Sequence, residues 1–237
     1  MATEASTHDA ASSMDKMYRY TRHVYDASRK YYLLGRDGLL RQIADDVAQA
    51  GRRVRIVEVG CGTGRNLIAL QRLLEKRGLD GQAQLFGVDA ASVMIDTARK
   101  SVDRRNLTDK VTLTQGLAQE LSPGMLGIKD RRDEGWADLV FFSYSLSMIP
   151  PWKDSIAAAL RAVGPAGAVR VVDFYDQAKL PAPFAWTLKR WLATFHVHYR
   201  PELVEHLNEL RVAGDVRLDF EEVLRRYAYR AKLTRLA

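Results

Sequence analysis

The chain has 237 residues, of which 47% are hydrophobic and 27% charged, the make-up of an ordinary globular protein long enough for one large or two small domains. Lys plus Arg number 36 against 29 Asp plus Glu, a net charge of +7, which suits an anionic partner such as nucleic acid, anionic lipid or an acidic small molecule. The single cysteine excludes an intramolecular disulfide and a cysteine-cluster metal site, and no apolar run reaches the ~18–20 residues of a membrane span.

Residues 1–13 are small and polar and read as a disordered tail with no secretory signal, so the expected compartment is the cytoplasm. Residues 14–50 read as helices. They carry seven basic and three acidic residues between Met14 and Arg41, and Leu39, Leu40, Ile43 and Val47 recur at the spacing of one core-facing helical stripe. Strands and helices then alternate: strand RVRIVEVG, helix NLIALQRLLEKRG, strand AQLFGVD, helix SVMIDTARKSVDRR, strand KVTLTQG, strand ADLVFFSYS, helix SIAAALRAVG closed by Gly164, and strand AVRVVDFYD. Near-continuous apolar strands in this order predict an α/β fold, a doubly wound and mostly parallel sheet covered on both faces. A proline-rich connection, an aromatic helix WTLKRWLATFHVH, a helix from Pro201 and two late strands complete the chain. From Arg225 onward there are five basic residues and no acidic one.

The loop Glu58-Val59-Gly60-Cys61-Gly62-Thr63-Gly64 joins the first strand to the helix entered by Asn66. Glycines let the backbone turn tightly and approach a ligand, beside the free N–H groups of a helix start. A dinucleotide fold would place its third glycine one residue later. The acid-G-x-G-x-G spacing instead resembles motif I of the class I S-adenosylmethionine-dependent methyltransferases. That resemblance implies a seven-stranded sheet and S-adenosylmethionine as cofactor, with no metal. It also implies a cofactor site assembled from Glu58, Gly60, Cys61, Gly62, Gly64 and Asn66. Asp89, ending the second strand, would accept the ribose hydroxyls. Ala90 and Met94 would flank the adenosine, Gly116, Leu117 and Ala118 would cover the adenine edge, and Ser143 would end the fourth strand beside the ligand. The Asn-Pro-Pro-Tyr of nucleobase-amine and glutamine methyltransferases does not occur at Ser143-Tyr144-Ser145.

Three further segments resemble the N-methyltransferase family of betaine-lipid synthesis. They are Tyr25-Asp26-Ala27-Ser28-Arg29 with Leu34-Gly35-Arg36-Asp37, the string from Ser143 to Trp152 (SYSLSMIPPW), and Asp173-Phe174-Tyr175-Asp176 followed by Trp191, Phe195, His198-Tyr199 and Pro201-Glu202. The resemblance implies three successive methylations of the amine of diacylglyceryl-homoserine, at the inner face of a membrane with an anionic surface. Residues 14–50 would then be an N-terminal cap on a methyltransferase domain of residues 51–237. Tyr18, Tyr25 and Tyr32 recur every seven residues and share a helical face, either as a core stripe or as a wall of the acceptor pocket, where aromatic faces hold a methylated ammonium. Tyr32 and Arg36 are assigned to the cofactor side, with Arg36 and Arg29 as carboxylate clamps. Tyr144, Trp152 and Tyr175 would complete the wall. Tyr25, Tyr144 and Asp154 are the candidate proton acceptors for the amine. His196 and His198, two apart, do not have the helical spacing of metal ligands. Two alternatives stand beside this reading. One is the same chemistry on phosphatidylethanolamine, a quinone precursor or another small molecule. The other is a basic nucleic-acid-binding module without methyl transfer, against which the complete glycine loop and Asp89 argue.

Overall fold

The computed structural model describes residues 33–129, 134–181, 183, 186–188, 190 and 199–236. The strands are β1 (Val54–Val59), β2 (Ala83–Asp89), β3 (Val111–Gln115), β4 (Ala137–Ser143), β5 (Val163–Phe174), β6 (Val216–Val223) and β7 (Ala228–Arg235). The main helices are α1 (Arg36–Ala50), α2 (Arg65–Lys76), α3 (Ser92–Asp103), α4 (Trp152–Ala162) and α5 (Pro201–Ala213). The strands form one sheet in the order β3-β2-β1-β4-β5-β7-β6. β1 to β5 run parallel, β7 is antiparallel to β5, and β6 is antiparallel to β7.

This is the doubly wound sheet expected from the alternation of elements. Successive side chains of a strand point to opposite faces, so a parallel strand covered on both faces must be apolar throughout. β4 shows the consequence: Phe141 enters one core with Ile56, Leu67, Leu70 and the α1 residues Leu39, Ile43 and Val47. Its neighbour Phe142 enters the other with Val57, Val171, Ile156, Ala159, Leu203 and Leu207. Helices α1 to α3 therefore cover one face, and α4 and α5 the other. The antiparallel β6 is polar and mostly exposed, as suits an unpaired sheet edge.

Helix α1 is part of this sandwich. Leu39, Leu40, Ile43 and Val47 are all buried, each contributing roughly 1.5–3 kcal/mol. Arg170 of β5 reaches up to it, donating from Nε and Nη2 to the Asp46 carboxylate at 2.6 and 2.9 Å and from Nη1 to Gln42 at 3.0 Å. The remainder of the expected cap, residues 14–32, and the tail 1–13 lie outside the described residues, as does most of the aromatic helix around Trp191.

One boundary differs from expectation. Helix α4 does not run to Gly164 but stops at Ala162, and the chain passes directly into β5. Val163 pairs with Ala137, and the next pair is Ala168 with Leu139. The run Gly164-Pro165-Ala166-Gly167 is thus extra length inside the pairing, a bulge of residues that suit a turn better than a helix end.

Candidate functional site

The chain moves outward from β1 to β3 on one side and returns to β4 on the other, so the strand order reverses between β1 and β4. At that switch point the carboxyl ends of neighbouring strands diverge, and ligands bind there in open α/β sheets. The residues Glu58 to Asn66, Asp89 and Ser143 all sit at this edge.

The glycine loop is built from backbone constraints. Gly60, Gly62 and Gly64 all have positive φ, at 74°, 53° and 73°. The Gly60 and Cys61 amides donate to the Val88 carbonyl at 2.8 and 3.0 Å, tying the loop to the end of β2. A Cβ at Gly60 would stand 2.4 Å from the Ser145 Cβ, closer than any real packing allows. Ser145 in turn donates from Oγ to the Val59 carbonyl at 2.8 Å. Glycine here is a steric requirement set by the loop that follows β4.

Asp89 ends β2 with its carboxylate turned into the loop. The Gly62 amide donates to Oδ2 at 2.8 Å and the Ala91 amide to Oδ1 at 3.0 Å. These two amides fix the orientation of the carboxylate at the edge of the sheet. Glu58 is buried, and Asn66 in the first turn of α2 donates to its Oε1 at 2.6 Å. Cys61 is buried beside both acids. Burial first, then the charges of Asp89 and Glu58, push its thiol well above the usual range, so it is a packed thiol and not a nucleophile.

Gly60, Cys61 and Asn66 line a small solvent-open cleft together with Leu33, Arg36, Thr63, Arg65 and Ser143. Arg36 lies at its rim and donates from Nε and Nη2 to Asp37 at 3.1 and 2.9 Å. On the β2–β3 side, the Gly116 amide donates to the Asp89 carbonyl at 3.0 Å. This carries Gly116, Leu117 and the buried Ala118 beside Ala90. Met94 is buried beneath them in the first turn of α3. A roomier hollow lies at the opposite, amino edge of the sheet, between Arg52, Asp138 and Lys232. Arg52 pairs there with Asp138, and Lys232 with Asp46.

Two of the sequence-expected proton acceptors are described, and neither is placed for that role. Tyr144 is 2% exposed, its hydroxyl donates to the Leu34 carbonyl, and its ring packs edge-on against Phe174 at 4.6 Å. Burial, with smaller contributions from Tyr227 and Asp173, pushes its pKa well up, so it anchors the segment leading into α1. Asp154 is exposed on the first turn of α4. Trp152 is buried against His206. Tyr25 and Tyr32 lie outside the described residues. Among the described residues no group of three His, Cys, Asp or Glu could hold a metal.

The sequence reading gave Asp173 no role beyond its place in the family-like segment 173–176 and did not name Arg200, yet both are members of this edge. Asp173 is 1% exposed and accepts from the Ser147 amide at 3.0 Å and the Phe174 amide at 2.8 Å. Arg200 donates from Nε to the Ser147 carbonyl at 2.8 Å. The signal available in advance was an acid at the end of an otherwise apolar strand, the same signal that marked Asp89.

S-adenosylmethionine is the cofactor that these residues fit. The loop beside Gly60 leaves no room for a side chain. The Asp89 carboxylate is oriented by two amides. The Ser143 hydroxyl, at the edge of the cleft, is buried with no hydrogen-bond partner, a donor and acceptor available to a ligand.

Comparisons with known proteins agree with this geometry. A family model described as a methyltransferase domain matches residues 56–167. The chain is 26% identical over 96 residues to the carboxy-S-adenosyl-L-methionine synthase of Alteromonas mediterranea, a match covering 40% of this chain and 33% of that relative's length. Among solved structures, a SAM-dependent methyltransferase from Aquifex aeolicus superposes with a TM-score of 0.59 at 15% identity, covering 91% of this chain and 96% of its own. A chain from the complex of the Haloferax volcanii Trm112 methyltransferase activator with its methyltransferase gives 0.64 at 15% identity, covering 94% and 99%. The strand order is the fold that these solved structures share, and the match over residues 56–167 is to a methyltransferase domain whose span includes the glycine loop and Asp89.

Proposed function

We propose that the chain is an N-methyltransferase that adds three methyl groups in succession to the amine of diacylglyceryl-homoserine, working from an anionic membrane surface. The observation that carries the methyl-transfer half is the meeting of Gly60, Asp89 and Ser143 at the switch point of the sheet. The acceptor half is supported by the likeness of residues 143–152 and 173–176 to the betaine-lipid family and by the aromatic cluster that follows β5. There the Tyr175 ring has Tyr199 and Phe220 edge-on at 5.8 and 5.7 Å, and the Arg226 guanidinium lies over it at 4.3 Å. This ring already holds one cation by its face, the chemistry that a methylated ammonium requires. Membrane docking is supported by Trp186, 62% exposed with Arg190 5.2 Å from its ring, and by the +7 net charge. Anionic lipid attracts such a surface at about 1 kcal/mol per basic residue. No helix among the described residues is long and apolar enough to cross a membrane.

When bound, S-adenosylmethionine supplies a methyl group already activated on a sulfonium. The chain's own task is orientation, which accounts for much of the rate in such a reaction. Asp89 takes the ribose hydroxyls, Ser143 completes the cleft, and Arg36 at the rim faces a carboxylate, either that of the cofactor or that of the homoserine head. The amine attacks in its neutral form and releases its proton to solvent, since the Tyr144 hydroxyl is committed to Leu34.

The test uses purified protein, S-adenosylmethionine and anionic vesicles containing either diacylglyceryl-homoserine or phosphatidylethanolamine, with lipids read by mass spectrometry. Mono-, di- and trimethylated homoserine lipid, formed less at high salt, is the expected result. Methylation of phosphatidylethanolamine alone, or of neither lipid by protein that binds the cofactor, refutes the acceptor assignment.

A further inference from the structure

The segment after β4 is held from several sides. Its Tyr144 has φ 55°, a costly conformation for a bulky residue, with its amide on the Val172 carbonyl at 2.8 Å. Ser145 fills the space over Gly60. Two residues on, the Ser147 peptide is gripped at both ends, its N–H by the Asp173 carboxylate and its carbonyl by the Arg200 guanidinium. Both contacts are charge-assisted and therefore roughly twice as strong as neutral ones. We infer that Asp173 and Arg200 are positioning residues that clamp the Ser147 peptide and so hold Ser143 and Ser145 against the glycine loop in the cofactor-binding arrangement.

Three observations carry the inference. The clamp joins parts far apart in sequence: the carboxyl end of β5, the residue preceding α5 and the β4–α4 loop. The path from the clamp to the cofactor loop is short, because Ser145, which cannot coexist with a side chain at residue 60, is two residues from Ser147. The Asp173 carboxylate is also buried, which is hard to explain as stabilisation. Burial raises its pKa to about 6 against the lowering effects of the Ser147 and Phe174 amides and of Arg200. A buried carboxylate held charged at neutral pH costs stability, so its retention points to a role in geometry. The ionisable groups facing it are Arg200 ahead of α5, Tyr144 in the loop and Tyr229 in β7. Burial keeps both tyrosines neutral in this range, leaving Arg200 as the charged neighbour.

The inference rests on the cofactor reading and is tested through binding, before any methyl transfer. Calorimetric titration of S-adenosylmethionine is compared with melting curves for wild type, Asp173→Asn, Arg200→Met and Arg200→Lys between pH 5 and 8. Wild-type affinity is expected to fall as pH drops through about 6, as protonation of Asp173 weakens the grip. Asp173→Asn should bind about tenfold more weakly at pH 7.5, the loss of one charge-assisted hydrogen bond, and its affinity should be flat with pH. Arg200→Met should show a similar loss, largely restored in Arg200→Lys. A merely structural Asp173 predicts the opposite course, with affinity unchanged as acid protonates it and relieves its burial cost. Asp173→Asn and Arg200→Met that fold and bind as wild type overturn the clamp. If Arg200→Met or Asp173→Asn does not fold, the wild-type profile decides, and an affinity that stays flat as pH falls through about 6 overturns the clamp. Wild-type protein that binds no S-adenosylmethionine at any pH refutes the cofactor reading itself.

Discussion

Replacing Gly60 by Ala tests whether the glycine loop is shaped by Ser145 or only by its own flexibility. Two costs are distinguishable. The first is conformational: φ is 74°, and an L-residue in the left-handed region costs roughly 1–2 kcal/mol. The second is steric: the new Cβ would lie 2.4 Å from Ser145 Cβ and 3.0 Å from its Oγ. Ser145 must move, at a repacking cost of roughly 1–3 kcal/mol, and it gives up the 2.8 Å bond to Val59, worth about 1 kcal/mol. Together these come to about 3–6 kcal/mol, a large part of the ~5–15 kcal/mol stability of an ordinary domain. Ser145→Gly removes the Cβ that collides. The Ser145 bond is lost in both single variants but only once in the double, so the double variant should recover about 2–4 kcal/mol relative to the sum of the single losses, leaving the conformational part and the missing bond. Urea denaturation of the four proteins of this cycle measures the coupling, and S-adenosylmethionine calorimetry follows the site. A Gly60→Ala loss near 1 kcal/mol, or independent effects of the two changes, would refute the steric account and make the glycine a matter of backbone conformation alone.

Asp89→Ala should lower S-adenosylmethionine affinity by roughly 10- to 100-fold, since it removes the proposed ribose acceptor and leaves the Gly62 and Ala91 amides without theirs. Asp89→Asn, which keeps one acceptor oxygen, should lose less, and calorimetry giving equal affinities for all three proteins would sink the assignment. Arg170→Met should destabilise by about 2–4 kcal/mol in chemical denaturation, below the full figure for a buried pair because Asp46 is 23% exposed and keeps Lys232 at 3.5 Å. A loss under 1 kcal/mol would show that the pair does not hold α1 to β5. Asp173 sets a pH dependence of stability whose sign is opposite to that of a salt-bridged carboxylate. Its folded pKa of about 6 lies above the ordinary carboxyl value of 3.8, so the folded state binds the proton more tightly. The cost is full above about pH 6 and is relieved as pH falls toward 4, by about 3 kcal/mol in all. Difference curves of wild type against Asp173→Asn, from denaturation between pH 4 and 7.5, should therefore favour wild type increasingly as pH falls.

Much of the fold was legible along the chain because parallel strands buried on both faces must be apolar throughout, and helices between them must show one apolar stripe. AQLFGVD, read as a strand, is residue for residue β2, and the stripe Leu39, Leu40, Ile43 and Val47 is the buried face of α1. The glycine loop and Asp89 were legible for a related reason: their chemistry is local, an acid-G-x-G-x-G turn and an acid ending a strand. Other features depended on which distant segments meet. Nothing in Ser143-Tyr144-Ser145 announces that Tyr144 turns away from solvent to bond Leu34, because that orientation depends on the left-handed backbone at residue 144 and on Phe174 behind the ring. Asp173, Ser147 and Arg200 are separated by 26 and 53 residues, and only the sheet edge brings them into one clamp. The end of α4 was misjudged at Gly164 because β4 takes Val163 as a pairing partner, a contact across the sheet that overrides the local helical pattern. Local periodicity and turn chemistry thus determined the elements and the cofactor loop, whereas tertiary packing decided which polar side chains face the ligand and which are used up in holding the backbone, because burial and hydrogen-bond partners belong to the assembled edge.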